Sequence, residues 1–60
     1  MRKDWKSVNL TKEDSELFRK FLIDNEIRFE TSGNGNLVHF EVLVNSTEQT
    51  ACDKFLSNIN

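Results

Sequence analysis

Apolar and polar residues follow two different periods along this chain. An apolar stripe at helical spacing lies within residues 17–22, and a second lies within residues 51–59. Strict alternation over residues 27–31 and 37–44 is typical of half-buried strands, and a weaker alternation marks residues 5–10. These periods predict the element order strand, helix, strand, strand, helix.

Hydrogen-bonding residues mark where the predicted helices begin and end. Thr11, followed three residues later by Asp14, is placed to accept from the unpaired amides of a first helical turn. Ser46, followed by Gln49, repeats that capping pattern for the second helix. Asn25 suits the left-handed position after the last turn of the first helix. Both helices are therefore expected to have defined ends.

A run of turn-forming residues separates the second and third predicted strands. Residues 32–36 read Ser-Gly-Asn-Gly-Asn, which can supply the positive φ angles of a tight reversal. The return strand over residues 37–44 places its four alternate apolar residues, Val38, Phe40, Val42 and Val44, on one face. We expect a β-hairpin whose apolar face covers the helices.

Two amphipathic helices and a hairpin can bury their apolar faces together if both helices pack on the same side of one sheet. We predict a single α+β domain over residues 1–60, a two-layer β-α-β-β-α sandwich with strand order 1-3-2. This order resembles a truncated ferredoxin-like fold, the split β-α-β arrangement without its final edge strand. The first strand, residues 5–10, is then expected to have an unpaired outer edge.

Composition narrows the classes of function. Ten acidic and eight basic residues give a net charge of −2, which disfavours a nucleic-acid partner. Cys52 is the only cysteine, so no intramolecular disulfide can form, and a reducing, cytoplasmic location is expected. No apolar run reaches the length of a membrane span, so no membrane contact is expected. Frequent Asn, Lys, Ile and Phe with no Pro suggest an AT-rich genome, such as many phages carry.

Few side chains suggest catalysis or metal binding. His39 is the only histidine, and Cys52 is expected on the buried stripe of the second helix, so a metal site would lack ligands. The Gly33-Asn34-Gly35 segment connects two strands, whereas phosphate-binding loops lead from a strand into a helix. We therefore predict that the protein is not an enzyme and uses no metal or cofactor.

The face of the sheet opposite the helices is the stronger candidate for function. If Val8 and Leu10 face the core, the candidate interaction surface on the other side comprises Trp5, Leu37, His39, Glu41 and Leu43. The alternative is that Trp5 folds over the end of the core and the two leucines are isolated surface residues, which is common in soluble proteins.

Three hypotheses of function follow. The leading one is a non-catalytic protein–protein interaction or regulatory module that self-associates through its sheet edge and has a further, unidentified protein partner. A second is single-stranded nucleic-acid binding, in which Trp5 and His39 stack bases on the open face. A third is a small acidic inhibitor or antitoxin-like factor, of the kind that phages encode.

Overall fold

The structure, a computed structural model, describes residues 2–59. Its elements are β1 (Asp4–Thr11), α1 (Lys12–Asp24), β2 (Arg28–Asn34), β3 (Leu37–Val44) and α2 (Ser46–Ile59). The predicted α+β class and β-α-β-β-α order are confirmed. Neither helix within this part of the chain combines the length and the hydropathy that crossing a membrane requires.

The three strands form one sheet in the order β1-β3-β2, as the sequence predicted. Both outer strands run antiparallel to β3, with Val8 opposite Phe40 on one side and Phe29 opposite Val42 on the other. Because side chains alternate along a strand, these four residues share the face that packs against the helices. We call the opposite side of the sheet the open face.

The core lies between the helices and β3. Phe18 of α1 meets Phe40 of β3 edge-to-face, with ring centroids 5.2 Å apart, and Phe21 stacks on Phe55 of α2 at 4.4 Å. The buried apolar residues are Leu10, Phe18, Leu22, Ile27, Phe40, Val42, Val44 and Cys52. Leu17 was expected on the buried stripe but is 52% exposed, because Phe18 and Leu22 centre that stripe one position away from it.

Both ends of α1 carry hydrogen-bonded caps. The Thr11 hydroxyl accepts from the Asp14 amide at 3.3 Å, as predicted. At the other end the left-handed residue is Glu26, with φ of 56°, and not Asn25, whose φ is −100°. The prediction for Asn25 was wrong because the helix extends through Asp24 and Asn25 still continues its backbone hydrogen bonding.

The cap of α2 lies one residue before the predicted one. Asn45 Oδ1 accepts from the Glu48 amide at 2.8 Å, and Glu48 Oε1 accepts from the Asn45 amide at 3.0 Å. These reciprocal bonds form a capping box. The prediction of Ser46 and Gln49 identified the capping motif but placed it one residue too late. Asn caps a helix as well as Ser does, so Asn45 takes this position.

The hairpin is tighter than the sequence suggested. Strand β2 continues to Asn34, which lies opposite Leu37, so Gly35 and Asn36 alone connect the strands. Gly35 has φ of +67°, and glycine at this first central position is typical of a type II′ turn. Residues 32–34, expected in the turn, extend the strand instead because the two-residue loop allows them to pair with β3.

Candidate interaction surface

Four residues of β3 form the central line of the open face. The register places Trp5 opposite Leu43, and Thr11 opposite Leu37, with the other two pairs between them. These middle pairs are Ser7 with Glu41 and Asn9 with His39. The structure therefore brings all five predicted residues, Trp5, Leu37, His39, Glu41 and Leu43, to one face of the sheet.

The two ends of the open face are apolar. Trp5 is 47% exposed beside Leu43, and Arg28 of β2 flanks Leu43 on the other side. At the far end Leu37 is 46% exposed, next to Thr11. Trp5 thus points away from the helices, as the alternation predicted, and does not fold over the core. Trp5 of β1 and Leu37 of β3 therefore lie at opposite ends of the β1–β3 pair.

A chain of polar contacts occupies the middle of the open face. Ser7 Oγ donates to Glu41 Oε1 at 3.1 Å, and that oxygen is 3.5 Å from His39 Nε2. His39 Nδ1 lies 2.8 Å from Asn9 Oδ1 on the neighbouring strand. These contacts hold four side chains of β1 and β3 in fixed positions while leaving them accessible to solvent.

Ser7 and Asn9 were not identified from the sequence. Each is an ordinary polar residue on a strand, and its contribution depends on which β3 residue lies opposite. The signal that could have found them was their alternation with Trp5, which places residues 5, 7 and 9 on the same face. Pairing with β3 then decides their partners.

The polar chain consists of hydrogen bonds between side chains of neighbouring strands. Ser7 donates to the carboxylate of Glu41, whereas His39 bonds Asn9, so the hydroxyl and the imidazole have different partners. The contacts also lie on an open surface, where water weakens electrostatic stabilisation of a reacting group. Among residues 2–59, no three potential ligands of the His, Cys, Asp or Glu type are grouped closely enough for a metal ion.

Cys52 lies in the helix layer, away from the open face. Its side chain is buried, and burial, followed by the nearby charges of Asp53 and Glu48, raises the pKa of the thiol to about 11. The reactive form of cysteine is the thiolate, which is scarce at neutral pH when the pKa is this high. Cys52 therefore acts as a small apolar side chain of the core.

Strand β1 lies at one edge of the sheet. Within residues 2–59 its hydrogen-bonded neighbour is β3, and its other side faces solvent. Of its eight residues only Leu10 is buried, and Val8 is half-buried. The open face and the β1 edge therefore meet along the same strand.

The β1 edge retains the regular shape of a strand. Its pairing with β3 continues without interruption from Asp4 to Thr11, so no bulge bends the strand away from an incoming partner. Comparison of the chain with protein-family models, with curated protein sequences and with solved structures found no match, so its function has to be inferred from this edge and face.

Proposed function

We propose that this protein is a small, non-catalytic interaction module of the cytoplasm that forms a homodimer through the β1 edge. Antiparallel pairing of β1 with the same strand of a second copy would join the two three-stranded sheets into one continuous sheet. The observation that carries the proposal is the long, regular and solvent-facing edge of β1. Such an edge offers a row of unpaired backbone donors and acceptors.

The side chains of β1 give little protection against pairing. Natural edge strands are commonly blocked by proline, bulges or charged residues that point inward. β1 contains no proline, and its charged residues are Asp4 and Lys6, both in its first half. Lys6 lies on the helix-facing side, opposite Val42, and is the charge nearest the middle of the strand that opposes pairing. From Ser7 to Thr11 the strand is uncharged, so no charge repulsion in this half opposes pairing with a second strand.

The size of the chain supports the same proposal. A 60-residue domain buries only about 60% of the surface that its unfolded chain exposes, so it is marginally stable alone. Pairing through β1 would cover Val8, which is half-buried, and part of Trp5, which is exposed. Association would therefore bury apolar surface that the monomer leaves exposed on β1.

Nucleic-acid binding on the open face is less well supported. Trp5 and His39 share that face, but the row between them contains Glu41, with Glu30 opposite it on β2. Two carboxylates between the potential stacking groups would repel a phosphate backbone, and base stacking is usually combined with a positively charged groove. The same surface is compatible with a protein partner, because its carboxylates can accept hydrogen bonds.

Sedimentation equilibrium over a range of micromolar concentrations tests the proposal. We expect the wild type to change reversibly from monomer to dimer, and Trp5→Lys to weaken dimerisation at least tenfold. Leu17→Lys is the matched control, because Leu17 is 52% exposed in the helix layer, away from β1. A wild type that remains strictly monomeric at high micromolar concentration would overturn the proposal, as would equal weakening by the two lysine variants.

A further inference from the structure

We propose that the two β1 strands pair in a specific register, with Val8 opposite Val8 of the second copy at the two-fold axis. This inference rests on the proposed function, because it names the alignment of that same dimer. In this register every residue from Trp5 to Thr11 has a partner, so nearly the whole edge strand is used.

Symmetry restricts the possible registers. In an antiparallel pair of identical strands, opposite residues share a face of the sheet, so one residue must lie opposite itself at the axis. The candidates along β1 that leave at least one flanking pair within the strand are Trp5, Lys6, Ser7, Val8, Asn9 and Leu10. The residue at the axis determines every other pair between the two strands. The registers can therefore be compared by the side chains that each one places opposite one another.

The open face favours Val8 at the axis. This register places Trp5 opposite Thr11 of the second copy, and Thr11 itself lies opposite Leu37. One row across the dimer then runs from Leu43 through Trp5 to Thr11 and Leu37 of the second copy. The exposed apolar groups Trp5 and Leu37 of the second copy thereby lie in one row with Thr11 between them, and this row occurs twice in the dimer.

The polar groups of the open face also match in this register. Ser7 lies opposite Asn9 of the second copy, so the contacts of Ser7 with Glu41 and of Asn9 with His39 become parts of one row. Glu41 of one copy and His39 of the other then terminate the same row of hydrogen-bonding side chains. Polar groups meet polar groups, and no buried donor or acceptor is left opposite an apolar side chain.

The helix-facing side of the paired strands also favours Val8 at the axis. Val8 lies opposite Val8 at the axis, and the exposed Lys6 lies opposite Leu10, which is already buried within the monomer, so the lysine head group keeps its access to solvent. Beyond the last paired residue, Thr11, the chain enters α1 at Lys12, which this register brings near Asp4 of the second copy, so opposite charges lie close together. The register contains no pair of like charges.

The other registers give less favourable pairs of side chains or pair less of the strand. Lys6 at the axis opposes two lysines, and Asn9 at the axis places Lys6 opposite Lys12; both arrangements put like charges together. Ser7 at the axis places the apolar Trp5 opposite Asn9, and it places Asp4, which has no long apolar stem, opposite Leu10. Trp5 at the axis pairs only residues 4–6 within the strand, and Leu10 at the axis pairs only residues 9–11, so either leaves most of the edge exposed.

Single-cysteine cross-linking tests the register in a Cys52→Ala background, which removes the native thiol. Directly opposite residues of an antiparallel pair have Cα atoms about 4.5–5.5 Å apart, within the range that a disulfide spans. Under mild oxidation we expect Val8→Cys to form a covalent dimer. We expect Ser7→Cys and Asn9→Cys each to remain uncross-linked alone but to cross-link when the two are mixed.

Sedimentation of the same variants under reducing conditions separates the two proposals. A reversible dimer that cross-links through Ser7→Cys alone or Trp5→Cys alone would overturn the register and leave the homodimer intact. A dimer that cross-links at none of these positions would also overturn the register. If Val8→Cys does not fold, the mixture of Ser7→Cys and Asn9→Cys decides. A protein that is monomeric throughout would overturn the proposed function as well.

Discussion

At the scale of single residues, Glu26 occupies an unfavourable backbone conformation. Its φ of 56° lies in the left-handed region, where a helix end usually has glycine. Two hydrogen bonds fix it there: the Glu26 amide donates to Ile23 at 3.1 Å, and the Ile27 amide donates to Leu22 at 2.9 Å. This pair of bonds is the Schellman motif, and the buried side chains of Leu22 and Ile27 accompany it. Packing of Ile27 therefore imposes the left-handed turn on Glu26.

We predict that Glu26→Gly stabilises the protein by about 0.5–1 kcal/mol. A side chain in the left-handed region costs roughly 1–2 kcal/mol, part of which is offset because glycine makes the unfolded chain more flexible. Urea denaturation at one fixed protein concentration measures the effect. Glu26→Ala is the control, since it removes the carboxylate but keeps the Cβ atom. If alanine stabilises as much as glycine, the strain explanation is wrong and the charge is responsible.

The sequence could not place this residue correctly because two competing signals were adjacent. Asn25 has the intrinsic tendency for left-handed turns, so the pattern favoured it over Glu26. Leu22 and Ile27 are both buried in the core, so the chain has to reverse between them, and the left-handed residue that allows this is Glu26. Side-chain packing across the turn overrides local propensity here, and that packing is visible only once the strand following α1 is in place.

At the scale of secondary structure elements, the hairpin contains two glycines with different roles. Gly35 has φ of +67° in the loop, whereas Gly33 lies in β2 opposite Val38. A Cβ atom at either position would meet no other atom within 4 Å. Space is therefore available at both glycines, and backbone conformation alone should distinguish them.

We predict that Gly35→Ala destabilises the protein by about 1 kcal/mol or more, because alanine is strained at positive φ. Gly33→Ala should be neutral or stabilising by up to about 1 kcal/mol, because glycine weakens a strand interior. Urea denaturation of both variants provides the comparison, and each is the matched control for the other. Equal effects would contradict the assignment of Gly35 to the turn and Gly33 to the strand.

The elements themselves were largely predictable because their periods are strong. Alternation placed β3 over Leu37–Val44 without error, since four apolar residues mark one face of it. The end of β2 was less predictable, because Ser32, Gly33 and Asn34 all have turn propensity. Their strand conformation depends on pairing with β3, and local propensity gives no information about such pairing.

At the scale of the whole molecule, the faces of the sheet were predictable but the contacts across it were not. Once Val8 and Leu10 face the core, a period of two places Trp5 on the open face. The polar contacts of Ser7 and Asn9 require the register between β1 and β3, which is set by the complete fold. The candidate surface could thus be identified by residue from the sequence, whereas the organisation of its polar centre could not.

The proposed dimer register makes a final prediction about charge. Asp4→Lys should place a lysine opposite Lys12 of the second copy and weaken dimerisation, while the pair Asp4→Lys with Lys12→Glu should restore it. An exposed ion pair contributes about 0.5 kcal/mol, and symmetry doubles it, so we expect about a fivefold change in Kd. The difference in Kd between Asp4→Lys and the wild type should be smaller in high salt, because salt screens exposed charges.

Lys12→Glu alone provides the internal control for this charge swap. The new carboxylate suits the helix dipole but lies four residues before Glu16, so we expect the two effects nearly to cancel and the stability of the monomer to change by less than about 0.5 kcal/mol, measured by urea denaturation at a concentration where the protein is monomeric. In the proposed register its new carboxylate nevertheless lies opposite Asp4 of the second copy, so the variant should weaken the dimer in sedimentation. Association would then weaken while the stability of the monomer stays nearly unchanged, which a general disturbance of the fold would not produce. If the double variant dimerises no better than the single ones, Asp4 and Lys12 do not meet, and the two-fold axis does not lie at Val8.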